Sequence, residues 1–191
     1  MPALAITDPG WLGAQIEATA RRYRYDRPPD IGVLWWYSAS SVLLGPPVEA
    51  RDPGLESVTL QVHPDGRILD AHSARFSDDV GTRLAEALSV SIEAVARQTG
   101  AHRRALWAIA TDSLANRVLW AGLSVEFAEK LAASVGPALP MPRYVEVSGR
   151  LVVRRASCCL VYLAPGQAKC VSCPRQTPEE RLRRTRRLPA P

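Results

Sequence analysis

The sequence predicts an α+β protein with a predominantly helical body, and three observations carry that reading. Apolar residues recur every three to four positions through the middle of the chain, the period of one helix face. In the first half, Val58, Leu60 and Val62 alternate with polar residues, as in a half-buried strand. Two short apolar runs around Ser148-Gly149 then lead into a segment that holds every cysteine of the chain.

Asp8-Pro9 reads as a cap followed by proline at the first helical position. The helix it opens should run to about Tyr25 and bury Leu12, Ile16 and Thr19 before Arg27-Pro28-Pro29 ends it. A second helix is expected over 30–44, stopped by Gly45-Pro46-Pro47. Strand 58–62 should return through the Pro64-Asp65-Gly66 turn as Arg67–His72, a hairpin. Ser77 or Asp78 can cap a helix to Thr99 that places Val80, Leu84, Leu88, Ile92 and Val95 in line, with Gly100 beyond its end. Further helices are expected over about 102–121 and 125–134. Gly136–Pro142 is a proline-rich linker, and Tyr144–Val147 and Leu151–Val153 read as two short strands. The organisation is thus a body over 1–142, a cysteine segment over 143–174 in the same compact domain, and a basic tail over 175–191 that is either a frayed helix or disordered.

The chain has 191 residues, 47% hydrophobic and 23% charged, enough for one domain with its own core and no disulfide staples. Its net charge is +5, and the segment from Pro174 carries six arginines against two glutamates. The body is therefore near neutral, which argues against a broad nucleic-acid face. The opening residues show neither a basic n-region nor a long apolar run. The uncharged stretch 31–48 is broken by serines, glycine and prolines and falls short of the ~20 apolar residues of a span. A cytoplasmic location follows as the expectation, and there clustered cysteines bind metal more often than they form disulfides.

The cysteines are Cys158, Cys159, Cys170 and Cys173, in the pattern C-C-x10-C-x2-C. Cys170-x-x-Cys173 is a turn-like pair common to zinc and iron–sulfur sites. Adjacent cysteines point to opposite faces of a regular strand, so both can ligate only where the backbone leaves that geometry. Three readings stay open on spacing: a [2Fe–2S] cluster on all four thiolates, a four-cysteine zinc site, and disulfides or buried thiols. Zinc usually takes two C-x2–4-C knuckles, which Cys158-Cys159 does not offer.

The run Arg154-Arg155-Ala156-Ser157-Cys158-Cys159-Leu160-Val161-Tyr162, then Pro165-Gly166, then Cys170-Val171-Ser172-Cys173-Pro174, resembles the C-terminal signature of the FhuF-type ferric siderophore reductases. The helical stretch from Ala105 to Ala115 is also similar to that family's middle region. The resemblance implies a [2Fe–2S] cluster held by all four cysteines and one-electron reduction of a ferric siderophore of hydroxamate type, releasing Fe(II). Close in sequence to the cysteines, Arg154, Arg155 and Tyr162 are candidate substrate-binding residues; the arginines would also raise the cluster potential, and the alternative for Tyr162 is packing. On alternating residues of a strand, one of the two arginines is expected in solvent. Lys169 is expected as a solvated loop residue. The tail is longer and richer in arginine than the family pattern.

Other chemistry finds little support. No G-x-G-x-x-G and no P-loop is present, so an external electron donor is implied: a ferredoxin, a flavoprotein or a thiol. His63, His72 and His102 are too scattered for a base or metal signature. Trp35, Trp36, Trp107 and Trp120 would line a pocket or, more in keeping with their helical spacing, fill the core. Asp112 and Asn116, four apart, would form a ligand-facing stripe or an ordinary exposed helix face. Two readings of a different kind stand beside the reductase: a zinc-stabilised interaction module and a non-catalytic [2Fe–2S] iron or redox sensor.

Overall fold

The structure, a computed structural model, describes residues 1–186; Arg187 and the remainder of the expected tail lie outside the described residues. The α+β class holds: helices dominate, with two separate two-stranded antiparallel hairpins.

Helix α1, Pro9–Tyr23, is capped as its sequence predicts, with Asp8 accepting from the Trp11 N–H at 2.6 Å. It ends where Arg24 turns left-handed at φ 50°. Helix α2, Pro28–Leu43, is buried over most of its length and forms the centre of the body, against α1, α4 (Val80–Thr99) and α5 (Arg103–Trp120). Polar ties fix α2 to α5. The indole N–H of Trp36 donates to the Leu106 carbonyl at 2.8 Å, and the hydroxyls of Ser40 and Ser113 meet at 2.8 Å, all buried. Gly32 lets α2 approach α4 closely, because a Cβ there would collide with Thr99.

The Pro46-Pro47 stop is itself a single helical turn, α3, Gly45–Val48. Both prolines sit at its first positions, where a missing N–H costs nothing. Strands β1, Thr59–Val62, and β2, Ile68–His72, pair antiparallel with Leu60 opposite Ala71. Their buried face lies on α2 and α3. The cap of α4 is Asp79, accepting from the Thr82 N–H at 3.1 Å, not Ser77 or Asp78; the Ser77 hydroxyl accepts from the Asp79 N–H instead. Helix α6, Val125–Val135, capped by Ser124, packs on α4 and α5.

The C-terminal strands β3, Tyr144–Val147, and β4, Arg150–Val153, form the second hairpin. Its turn uses Ser148 at φ 56° and Gly149 at φ 72°, the two positive φ values a type I′ turn demands. Beyond the cysteines, residues 178–186 form helix α7, Pro178–Arg186. Among the described residues no helix is long and apolar enough to cross a membrane.

Candidate metal centre

The cysteine segment leaves strand geometry where ligation requires it. Leu160 adopts φ 62°, ψ 4°, and a 3-10 turn follows over Val161–Leu163. Left-handed backbone is costly for a branched residue, so it persists only where the surroundings enforce it. Here it brings two amides near sulfur, where the Leu160 N–H favours the charged form of Cys158 and the Val161 N–H that of Cys159. The chain loops back past Gly166, at φ 75°, into the Cys170–Cys173 turn, closed by the Cys173 N–H on the Cys170 carbonyl at 3.1 Å.

The four thiols meet two by two. Cys158 Sγ and Cys173 Sγ are 3.7 Å apart, and Cys159 and Cys170 lie close enough to shift each other's ionisation. Two sulfurs on one tetrahedral metal with bonds of about 2.3 Å lie about 3.8 Å apart, so the first pair already has the separation of ligands sharing an ion. Around one zinc ion four thiols would close about a single point. Two pairs are the pattern of a two-iron centre, in which each iron takes two thiolates. Cys159 and Cys173 are buried while Cys158 and Cys170 are half-exposed, so each pair has one covered and one accessible sulfur.

The electrostatics split the thiols, favouring thiolate at Cys159 and opposing it at Cys158 and Cys170. The thiol of Cys170 donates to Cys159, against the opposing effect of burial; with the Val161 N–H and Arg155 adding to it, Cys159 is held down at about 5. The same contact and burial push Cys170 up, and burial pushes Cys158 up. Arg155 is 5% exposed, and its Nη1 lies 3.6 Å from Cys170 Sγ. Its guanidinium carbon sits 5.0 Å from the Tyr37 ring centre. Its Nη2 is buried and has no hydrogen-bond partner within the protein. A buried guanidinium N–H beside thiols lacks an acceptor that the sulfur-rich edge of a [2Fe–2S] cluster would provide. Paired thiols, amides on sulfur and an orphaned cation all fit that group.

The segment is fastened to the helical body by Asp112 on α5. Its carboxylate accepts from the Ala156 N–H at 2.9 Å, the Ser157 N–H at 3.1 Å, the Ser157 hydroxyl at 2.8 Å and Arg155 Nε at 3.4 Å. Asp112 is 2% exposed, so the exposed-face reading of Asp112 fails. Its neighbour Asn116 bonds back to the Asp112 carbonyl at 2.8 Å. From the other side, buried Gln176 donates to the Cys170 and Val171 carbonyls at 2.6 and 3.2 Å and accepts from Arg184 of α7 at 3.1 Å. Neither tether follows from the cysteine spacing.

The remaining candidates are dispersed. Arg154 is exposed, with its N–H on the Arg143 carbonyl at 2.8 Å. Tyr162 is half-buried, 5.8 Å from the Lys169 ammonium, and that ammonium also donates to the Arg175 carbonyl at 3.0 Å. Trp35 and Trp36 are core, Trp107 packs against the core, and Trp120 is 68% exposed.

This geometry fits the class of iron–sulfur proteins, with the paired cysteines as candidate ligands. The same segment matches a known family: residues 155–175 fit the model of the FhuF 2Fe-2S C-terminal domain. The chain is FhuF-like across that segment, and its cofactor is a [2Fe–2S] cluster. No curated protein matches the chain.

Proposed function

We propose that this FhuF-like iron–sulfur protein is a ferric siderophore reductase acting in the cytoplasm on ferric chelates of hydroxamate type. Bound to Cys158, Cys159, Cys170 and Cys173, a [2Fe–2S] cluster supplies one electron at a time, enough to take chelated Fe(III) to Fe(II). The lower charge weakens the bonds to anionic oxygens, and iron is lost to other ligands. The observation that carries the reading is the half-exposed sulfur in each thiol pair, which brings the centre to the surface where a chelate docks. Buried Arg155 favours added negative charge on the centre, Asp112 holds Arg155 and the Ala156 and Ser157 amides in place, and the Leu160 and Val161 amides stabilise the thiolates. Arg154 and Tyr162 are the substrate-facing candidates. Electrons come from a separate ferredoxin, flavoprotein or thiol.

Purified protein should be red-brown, hold about two irons per chain and give the paramagnetic signal of a reduced [2Fe–2S] centre. Chemically reduced protein should be reoxidised by a ferric hydroxamate. Colourless protein with one zinc per chain would sink the proposal; a reduced centre that ferric chelates leave untouched would make the protein a sensor.

A further inference from the structure

Beside the cysteine turn lies a groove of about 580 Å3, within the roughly 300–1,000 Å3 of small-molecule sites. It is lined by the β3–β4 hairpin, the C-terminal end of α5 and one face of α7. Val171 and Ser172, the two residues between Cys170 and Cys173, also line it, so the groove abuts the centre directly. Much of its lining is apolar and open: Trp120, Val145, Leu151 and Leu182 are 68%, 43%, 42% and 40% exposed. Side chains of this size are left uncovered in a cluster where something is meant to lie on them.

Charge narrows the occupant. Arg154 and Arg181 line the groove, and no acidic residue does. Neither arginine has an ion-pair partner among the described residues, whereas Arg67, Arg83, Arg103 and Arg155 are each held by a carboxylate. An apolar trough with two free guanidinium groups and no carboxylate suits a ligand with apolar arms and acidic oxygens. Its volume and concavity suit a small molecule; a protein partner needs a flatter and wider face.

We propose that this groove is the substrate site, and that the substrate is an anionic ferric chelate bearing free carboxylates beside its hydroxamates. The inference rests on the ferric-chelate reading above. The carboxylates meet Arg154 and Arg181, the apolar arms lie along Leu151 and Leu182, and the metal faces the Val171–Ser172 turn. A neutral trihydroxamate fills the apolar part and leaves both cations unanswered.

The test uses the full-length, cluster-loaded protein and redox-inert gallium(III) chelates, followed by titration calorimetry. The gallium complex of a citrate-based dihydroxamate should bind about tenfold or more tightly than the gallium complex of a neutral trihydroxamate. The double substitution Arg154→Gln, Arg181→Gln should remove that preference while the visible spectrum of the centre stays unchanged, and added salt should weaken only the anionic complex. Equal affinity for both complexes, or an unchanged preference in the double variant, overturns the proposal. So does a double variant that keeps its chelate affinity but loses electron uptake from an acidic ferredoxin, which would assign the groove to the donor. If the gallium chelates bind as expected but their ferric counterparts fail to reoxidise the reduced protein, the groove stands and the reductase reading falls. Reoxidation without measurable chelate binding has the opposite meaning.

Discussion

Replacing Asp112 by Asn changes one atom and should loosen the whole cysteine segment. The carboxylate takes four hydrogen bonds from residues 155–157, two of them from backbone amides, and both it and Arg155 have side chains only 3% exposed. An asparagine keeps one acceptor oxygen and turns an –NH2 toward groups that are all donors. It also takes from buried Arg155 its one carboxylate partner among the described residues. Breaking a buried ion pair from one side costs about 3–5 kcal/mol, much of it the stranded charge. For a chain of 191 residues, that corresponds to a fall in Tm of roughly 6–20 °C. Thermal denaturation should be followed twice, by far-ultraviolet circular dichroism for the helices and by visible absorbance for the centre. Bleaching should come at lower temperature than helix loss, because the broken bonds tether the segment and leave α5 itself intact. The control is Asn116→Ala one turn along α5, whose side chain among the described residues bonds to the Asp112 carbonyl, and which should cost well under 1 kcal/mol. An Asp112→Asn protein whose bleaching and melting both stay within a degree or two of the parent would refute the reasoning.

The other expectations concern the centre, the acid limb and the helix core. Arg155→Gln should lower the reduction potential by roughly 50–100 mV, because a cation a few ångströms from the thiolates favours the more negative, reduced state; spectroelectrochemical titration reads it, and an unchanged or raised potential contradicts it. Burial raises the carboxyl of Asp52, but the Arg83 guanidinium, the Gly54 N–H and Ser57 outweigh it and hold it at about 2. A depressed folded value means its stabilisation, about 2 kcal/mol, is complete above pH 4 and lost as pH falls toward 2. Urea midpoints should show that loss in the parent and not in Asp52→Asn. Gly32→Ala should cost about 1–3 kcal/mol by forcing α2 away from Thr99 of α4, whereas Gly122→Ala, with open space around it, reports only the strain of its positive φ at 68° in the same denaturation assay.

Local signals were legible in the sequence and distant ones were not. The period of the apolar residues set α4 and α5 to within three residues, since that pattern is a property of one face of one helix. Ser148-Gly149 announced the second hairpin, because a two-residue turn of that hand needs residues that tolerate positive φ. The cysteines declared themselves by type and spacing. Ser77 and Asp78 were read as the cap and Asp79 was passed over, as all three have a capping side chain and only the entry angle of the chain selects one. Asp112 was beyond reach for a stronger reason. Its role depends on residues 43–45 positions later, and the i, i+4 spacing with Asn116 is the same on an exposed face. The groove is harder still, since it exists only once α5, the second hairpin and α7 come together.

The two consecutive arginines show how a short stretch of extended chain can serve both halves of the proposed reaction. Side chains along an extended strand alternate between faces. Continuing past β4, that alternation sends Arg154 outward to the groove and Arg155 inward against Cys170 and Asp112. The outward cation meets solvent or a charged ligand, so its energy is screened and salt-dependent. The inward cation is desolvated and acts on the centre at short range, where salt has little effect. Neither arginine can substitute for the other: shifting the register by one residue would bury the docking charge and expose the one beside the thiols. The bonds from Asp112 to the Ala156 and Ser157 amides fix that register, and the Arg154 N–H on the Arg143 carbonyl fixes it from the hairpin side. Asp112 therefore sets more than stability, because the same four hydrogen bonds decide which arginine faces the groove and which one reaches the sulfur.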